Sequence, residues 1–284
     1  MTSLGLPAAE RPPRRTASRL VVMGLLFVLL LALVAAAAPW IAPWDPEEMD
    51  VMGVMGAPSL AHPFGSDVMG RDVLSRVIFA LRASLLVSVC AVLASLAVAV
   101  PLGLLAGYFG GWVDSVVSRS LDMILVLPAM LLAITLIAIL GPGSIVAALA
   151  IAVIYLPILA RVMRASALVV SRNDYVLGAR ARGASHLRVL LTHVAPNALG
   201  PVLVQASVLS AFALQLEAGL SFLGLGVQPP TPSLGGMLAE GRDVLTIAPW
   251  VEIFPGLGIV LAVLAFSMLG EGLRRALDPE GVAE

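Results

Sequence analysis

The chain has 284 residues, of which 60% are hydrophobic and only 12% are charged, and its formal net charge is −1. Soluble domains are about half apolar and about a quarter charged, so this composition indicates a protein of the lipid bilayer. All 17 basic residues are arginine, and the absence of lysine excludes a phosphate-binding P-loop, which needs a lysine to reach the nucleotide phosphates.

Residues of the kinds that metal sites and enzymes use are sparse. The one cysteine, Cys90, lies in an apolar run, which excludes a disulfide within the chain and a cysteine-based metal site. The histidines His62, His186 and His193 are scattered, and no nucleophile is paired with a base. We therefore predict no catalytic residue, no metal ligand, no cofactor-binding residue and no nucleic-acid partner for this chain.

Six apolar stretches predict membrane-spanning helices, at about residues 20–38, 82–107, 119–140, 144–164, 198–215 and 252–272. Each is long enough to cross a hydrocarbon core of about 30 Å at about 1.5 Å per residue. Prolines within them are tolerated where neighbouring helices satisfy the freed backbone groups. Small residues such as Gly103 and Gly107 permit close helix contacts. The sequence thus predicts an all-α membrane protein with six transmembrane helices.

Charges alternate along the chain in step with these stretches. Arginines outnumber acids by four to one in residues 1–19 and by six to one in 161–197, whereas acids outnumber arginines by six to two in 39–80 and by three to one in 216–251. Basic segments stay on the cytoplasmic side of a membrane. We therefore predict cytoplasmic tails at 1–19 and 275–284, an external segment at 39–81 and a membrane core at 82–274.

The first helix, residues 20–38, has an alternative interpretation. A basic stretch, an apolar run and the four alanines at 35–38 are also typical of a signal peptide with a small-residue cleavage site. However, its 19 apolar residues exceed the usual length of about 7–15. Removing it would also leave five spans and place the large basic loop on the wrong side. We therefore expect this helix to be retained.

The sequences of two external segments predict local structure. Residues 62–72, HPFGSDVMGRD, predict a turn followed by a short helix that Asp67 or Asp72 caps. In 216–251, about ten apolar residues are too few to span, so we expect a helix extension, an interfacial segment or a re-entrant turn. Because non-helical backbone at membrane depth lies inside protein or beside a water-filled cavity, this stretch is a candidate for closing the outer end of a pathway. The alternative is a surface helix and loop with no gating role.

Charged residues within spans are functional candidates by default. Asp122 lies about one turn inside the third span, with Arg119 three residues before it, so we expect these two side chains to pair. The pair is either a structural contact near the cytoplasmic interface or part of a pathway. Together with the 216–251 segment, this gives the candidate pathway or gate residues Asp122, Glu217, Ser221 and Phe222.

The basic loop at 161–197 predicts two short helices separated by a glycine. Asn173 or Asp174 can cap the first, and Gly183 suits the left-handed backbone position that ends a helix. Ser185 can cap the second, in which apolar residues recur at helical spacing until a proline stops it: Leu187, Leu190, Leu191, Val194 and Pro196. The loop is therefore expected to be a compact, positively charged projection, which is either a topology signal or an element that docks in a partner's groove.

This loop resembles the "EAA" coupling motif of permease subunits of bacterial ABC importers. Further strings over roughly 60–280 resemble the dipeptide/oligopeptide permease subfamily and specifically its "C" partner: HPFGSD at 62–67, GRD at 70–72, YFGGWVD at 108–114, LSFLGLGVQPPTPS at 220–233 and LDP at 277–279. The resemblance assigns ATPase coupling to Tyr175, Ala179, Arg180, Arg182, Gly183, Ala184, His186, Leu187, Leu190, Pro196 and Asn197. One position departs from the motif, because Leu177-Gly178-Ala179 stands where Glu-Ala-Ala is usual. Docking is then expected to depend more on packing and on the arginines.

The resemblance implies a type I ABC importer permease fold in the bacterial inner membrane, with di- or oligopeptides as substrate. It also implies a homologous second permease, two cytoplasmic subunits that bind ATP and magnesium, and an extracytoplasmic solute-binding protein. A nickel complex or glutathione is the alternative substrate. A stand-alone secondary transporter would require acids or inverted repeats in the spans, and an intramembrane enzyme would require paired catalytic residues at depth. The sequence contains neither pattern.

Overall fold

The computed structural model describes residues 14–277. Most of the two predicted cytoplasmic tails, including Asp278 and Pro279 of the LDP string, lies outside the described residues. Within 14–277 all regular secondary structure is helical apart from one isolated bridge between Ser66 and Asp72. The α-helices are α1 Arg14–Ala36, α2 Ala38–Ile41, α3 Val73–Phe109, α4 Gly111–Leu125, α5 Ala129–Leu140, α6 Ser144–Val170, α7 Asp174–Ala181, α8 His186–Val189, α9 Ala195–Phe222, α10 Leu234–Gly241 and α11 Trp250–Leu277.

Five helical stretches of the described chain are individually long and apolar enough to cross a membrane. They are α1, α3, α6, α11 and the stretch His186–Phe222, which joins α8 to α9. The sixth span is the pair α4 and α5, whose axes differ in direction by 88°. An all-helical fold with six predicted spans therefore agrees with the structure when this bent pair is counted as one span.

The expectation of one continuous third helix at 119–140 is wrong. The chain is helical from Gly111, but it breaks at residues 126–128 before α5 begins. Pro128 explains the break, because proline lacks a backbone N–H, clashes with the carbonyl four residues earlier and disfavours helical backbone at the preceding residue. The prolines at 101, 157 and 255, by contrast, lie inside continuous helices, as expected for a bundle.

The short helix expected after the 62–72 turn is also absent as a separate element. Asp72 caps a helix as predicted, since its Oδ2 accepts a hydrogen bond from Ser75 N at 2.8 Å. That helix, however, is α3 itself, which runs for 37 residues. Arg76 and Arg82 make the apolar stretch shorter than the helix, because a hydropathy pattern ends where charges begin whereas a helix can continue through charged residues.

Close packing between α3 and α6 organises the larger of two cores. A Cβ atom added at Gly103 would overlap the Ala160 carbonyl oxygen, and one added at Gly107 would overlap that of Arg164. The expectation that these glycines permit close helix contact is therefore confirmed. This core joins α3, α6 and α9, while a second cluster joins α1, α3, α10 and α11.

The segment 216–251 extends α9 and then folds back onto the bundle. Helix α9 continues to Phe222, so a helix extension is the correct alternative for its first part. The chain then turns at Gly224, which has a φ of +75°, and enters α10, whose Leu234, Gly235 and Met237 are buried. Because an added Cβ at Gly235 would overlap the Ala218 carbonyl, α10 lies directly on α9.

Candidate functional site

We call the end of the bundle that carries residues 37–72 and 223–249 the outer end, and the end that carries 171–194 the cytoplasmic end, following the charge distribution. Two sets of residues at these ends are candidates for function. The first is the loop predicted to couple to ATPase subunits, and the second is the group of buried polar residues at the outer end.

Helix α7 ends in the glycine turn that the sequence predicts. Gly183 has a φ of +84°, in the left-handed region. Its N–H donates to the Arg180 carbonyl at 2.9 Å, and Ala184 N–H donates to the Ala179 carbonyl at 3.2 Å. These two bonds form a Schellman motif, which satisfies the last carbonyls of a helix. The Ser185 side chain then caps α8 by accepting from Arg188 N at 3.4 Å.

The proline at 196 does not stop the second loop helix, contrary to expectation. Helix α8 continues through a π-helical turn at Leu190–Val194 directly into α9, where Pro196 lies in the first turn. Ala195 N–H donates to the Leu190 carbonyl five residues earlier. A wider turn of this kind accommodates a residue that breaks the regular ladder. Asn197 follows it and donates from Nδ2 to the His193 carbonyl at 2.7 Å.

The loop contains two sets of apolar residues, which together include the predicted face of Leu187, Leu190, Leu191 and Val194. Its inward set is fully or almost fully buried within this chain: Val176, Ala179, Val189, Leu190 and Val194. Its outward set remains exposed by about half of each side chain or more, and we call it the coupling surface: Tyr175, Leu177, Leu187 and Leu191. Arg180, Arg182 and Arg188 are exposed beside it. The loop is therefore anchored to its own bundle and presents an apolar, basic-rimmed surface.

One of the predicted coupling residues makes a contact that the sequence does not indicate. The Tyr108 hydroxyl at the end of α3 and His186 Nδ1 on α8 share a hydrogen bond of 3.0 Å. The Arg180 guanidinium lies 5.7 Å from the centre of the same tyrosine ring, within cation–π range. Both loop helices, α7 and α8, thus contact the end of α3.

At the outer end, two of the four candidate pathway residues come together. Glu217 and Ser221 are buried neighbours on α9, and the Ser221 hydroxyl donates to Glu217 Oε1 at 2.6 Å. Ser84 of α3 lies beside the same carboxyl group, and Oε2 has no hydrogen-bond partner among residues 14–277. Phe222 is half-buried, and together with Ser221 and residues 227–233 it lines an open pocket of about 200 Å³.

The fourth candidate, Asp122, lies apart from this group. It is 56% exposed and accepts from Arg161 Nη2 of α6 at 2.5 Å. The expected pairing with Arg119 is therefore wrong, because the carboxylate pairs with Arg161 of the neighbouring helix α6 instead. Both alternatives expected for Asp122, an interfacial ion pair and a pathway residue, are compatible with its pairing with Arg161.

A charged group at the outer end could not be inferred from the sequence. Asp67, Arg71 and Arg76 are nearly inaccessible to solvent, and both arginines pair with Asp67 and with Glu240 of α10; we call these four residues the outer ion cluster. Arg71 Nε donates to Asp67 Oδ2 at 2.7 Å, and Arg71 Nη2 donates to Glu240 Oε2 at 2.6 Å. The charge content of 62–76 was visible in the sequence, but no local pattern connects it with a residue 164 positions later.

The part of the chain that the structure describes contains no cluster of candidate metal ligands. No group of three or more histidine, cysteine, aspartate or glutamate side chains within 14–277 is arranged to hold an ion.

Comparisons with known proteins agree with this architecture. Residues 99–280 match the family described as "Binding-protein-dependent transport system inner membrane component", and residues 16–63 match "N-terminal TM domain of oligopeptide transport permease C". The chain is 44% identical to "Di/tripeptide transport system permease protein DppC" of Pseudomonas aeruginosa, over 90% of this chain and 87% of that protein. It is 43% identical to "Glutathione transport system permease protein GsiD" of Escherichia coli, over 90% and 84%. A chain of the MetNI methionine ABC transporter shares the fold with a TM-score of 0.60 at 18% identity, over 72% of this chain and 96% of that chain.

Proposed function

Because this chain belongs to the family of inner membrane components of binding-protein-dependent transport systems, we propose that it forms half of the pathway of an ATP-driven importer of small peptides. The other half is a homologous permease. Two cytoplasmic subunits bind ATP and magnesium, and an extracytoplasmic binding protein delivers the peptide. Relatives that carry di- and tripeptide transport names support this substrate class.

The observation that carries the proposal is the coupling surface. Leu187 is 66% exposed and Leu191 is 57% exposed, although both lie on a loop whose inward residues are buried. An apolar helix face with a basic rim is suited to a hydrophobic groove in a partner. This chain has no lysine for a P-loop, so the nucleotide is bound by that partner. The docked loop then transmits the movement of the partner to the spans.

Movement of the coupling loop would open the bundle alternately to its two ends. The loop connects α6 directly to α9, and α9 carries Glu217, Ser221 and Phe222 at the outer end. Displacement of the loop is therefore transmitted along α9 to the residues beside the outer pocket. This is alternating access by rocking of packed helices around a central path.

The proposal is tested by reconstitution. The chain is placed in proteoliposomes with its second permease, both ATPase subunits and the binding protein, and uptake of a radiolabelled dipeptide such as dialanine is measured. Uptake that requires ATP, the ATPase subunits and the binding protein is expected. Dipeptide uptake by the permease pair alone would overturn the proposal.

Substitution of Gly183 tests the role of the loop. Valine at a φ of +84° costs about 1–3 kcal/mol, so Gly183→Val should displace the Schellman turn and abolish transport and substrate-stimulated ATP hydrolysis. Gly141→Val is the matched control, since Gly141 has a φ of +91° and equally open surroundings in the turn between α5 and α6. Equal loss of transport in both variants, at equal membrane levels, would contradict a specific role for the loop.

Glutathione is a second candidate substrate. A glutathione transport relative is 43% identical to this chain, and glutathione is itself a tripeptide. A competition experiment tests whether glutathione and dialanine use the same pathway. Excess unlabelled glutathione should displace dialanine only if one pathway accepts both peptides.

A further inference from the structure

The resemblance motif YFGGWVD at 108–114 has no role in the function proposed so far. The structure places it at the corner where α3 ends and α4 begins, at the cytoplasmic end. Phe109 is the last residue of α3, and Gly111 is the first residue of α4. We call residues 108–114 the α3–α4 corner.

The corner is tight because of its two glycines. Gly110 and Gly111 have φ values of +65° and +54°, in the left-handed region that other residues rarely adopt. Only Gly110 separates the two helices, so the start of α4 stays close to the end of α3 when either helix moves.

The loop side of the corner is held by Tyr108. Its hydroxyl shares the 3.0 Å hydrogen bond with His186 of α8, and its ring lies beneath Arg180 of α7. The Phe109 ring lies 5.9 Å from the His186 ring. Both helices of the coupling loop thus contact a span to which the loop has no direct chain connection.

The span side of the corner is held by Asp114. Arg164 of α6 donates to this carboxylate through two nitrogens, from Nε to Oδ1 and from Nη2 to Oδ2, the latter at 2.6 Å. Ser118 donates to Oδ1 at 3.0 Å. Paired contacts of this kind fix the direction of a helix as well as its distance. The first turn of α4 is therefore tied to α6 just before α6 enters the loop.

Beyond the corner, α4 leads to the break at 126–128. The side chains around this break are largely exposed within the chain: Met123, Leu125, Val126, Leu127 and Pro128. Helix α5, in contrast, is packed on α6 through the buried residues Ala133 and Ile137. A change in the angle between α4 and α5 therefore disturbs few contacts of the core.

We propose that the α3–α4 corner relays movement of the coupling loop to the broken span α4–α5, with Tyr108 and Asp114 as its positioning residues. The inference rests on the proposed transport function and adds a second route to it. One route runs from the loop along α9, and the other runs from α7 and α8 through Tyr108 to α4. Movement along the second route changes the angle between α4 and α5 at the break in the third span.

The first experiment measures coupling in the complete reconstituted transporter. Tyr108→Phe retains the ring and removes the hydrogen bond to His186. Dialanine transported per ATP hydrolysed should fall about 3- to 10-fold, the range for loss of one hydrogen bond, while ATP hydrolysis continues. Tyr155→Phe, which removes a hydroxyl from a buried tyrosine of α6, should leave the ratio unchanged. An unchanged ratio in Tyr108→Phe would overturn the proposal.

The Asp114 contact is tested by charge exchange. Asp114→Asn should lower the same ratio, and the double variant Asp114→Arg with Arg164→Asp should restore at least part of it by re-forming the pair. Failure of the exchange to restore coupling, at normal membrane levels, would assign Asp114 a structural role alone and count against the relay.

The second experiment follows the geometry directly. In a Cys90→Ser background, spin labels are placed at position 188 on α8 and at position 116 on α4, both exposed. The distance between these two labels should change by less than about 2 Å between the nucleotide-free and the ATP-bound transporter. The distance from position 188 to position 131 on α5 should change by more than that. Equal changes in both distances would overturn the relay. Absence of dialanine transport by the wild-type complex would instead refute the proposed function itself.

Discussion

The outer ion cluster and the ion pair between Asp122 and Arg161 differ in how far their side chains are exposed. At the outer end, the side chains of Asp67, Arg71 and Arg76 are 0%, 9% and 2% exposed. In the halves of α4–α5 and α6 nearer the cytoplasmic end, Arg161 and Asp122 are 52% and 56% exposed, although they also form an ion pair. The charges of the outer ion cluster pair with one another within this one chain. The cytoplasmic charges and the coupling surface remain accessible to other molecules.

This difference separates residues that hold the fold from residues that work between subunits. The outer ion cluster joins the start of α3 to α10, and the stacked rings of Phe64 and Phe254 join the same external segment to α11. Loss of such contacts should affect stability first. At the cytoplasmic end, loss of an exposed side chain should affect coupling while the protein remains folded in the membrane.

Arg76→Ala is expected to have the largest effect on stability. It leaves Asp67 and Glu240 without one of their two arginine partners in a buried site, and removing one member of a buried ion pair costs about 3–5 kcal/mol. The free energy of unfolding in detergent micelles should fall by that amount, and the protein level in the membrane should fall with it.

The control for this variant is Arg242→Ala. Arg242 also pairs with an acid, Asp243, but both side chains are more than half exposed, and exposed pairs contribute little. Equal stability of Arg76→Ala and Arg242→Ala would show that the buried ion pairs of the outer ion cluster contribute no more to stability than an exposed pair at the same end.

The sequence predicted the spans well because apolar length and charge alternation are local properties. It also predicted the Asp72 cap and the turn at Gly183, since each depends on a few neighbouring residues. The outer ion cluster could not be predicted, because six helices, α4 to α9, separate Arg76 from Glu240 in the sequence and the two meet only in the folded bundle. The broken third span was missed for a different reason. Pro128 was visible, but proline at 101, 157 or 255 leaves its helix continuous, so the residue type alone does not determine the outcome.

The coupling loop was predicted only in part. Helical spacing placed Leu187, Leu190, Leu191 and Val194 on one apolar face, whereas the bundle takes Leu190 and Val194 into its core and leaves the other two exposed. Periodicity identifies an apolar face, but it does not show which part of that face packs against the same chain.

Leu187→Asp should have the next largest effect, on coupling and not on folding. A charge introduced into the centre of an apolar contact should reduce substrate-stimulated ATP hydrolysis and peptide uptake at least about tenfold, as expected at an interface hot spot. The membrane level should stay unchanged, because Leu187 is already 66% exposed. Leu60→Asp, at a fully exposed leucine of the external segment, is the matched control and should retain uptake. Loss of the Leu187→Asp protein from the membrane would mean that the cytoplasmic end also holds the fold.

Asp122→Asn is expected to have the smallest effect on stability, within about 1 kcal/mol, because half-exposed ion pairs contribute little.

The effect of Asp122→Asn on transport shows whether the exposed pair with Arg161 lines the pathway or only holds two helices together. Charged side chains within spans face the interior of a complex or a water-filled path in preference to lipid, so the Asp122–Arg161 side of α4 and α6 should face the pathway. Dialanine uptake by Asp122→Asn should then show a changed KM at normal stability, and the exchange Asp122→Arg with Arg161→Asp should not restore it, since a pathway lined by the pair depends on where each charge lies. Full restoration by the exchange would show instead that only the attraction between α4 and α6 matters, and would reduce this pair to a cytoplasmic counterpart of the outer ion cluster.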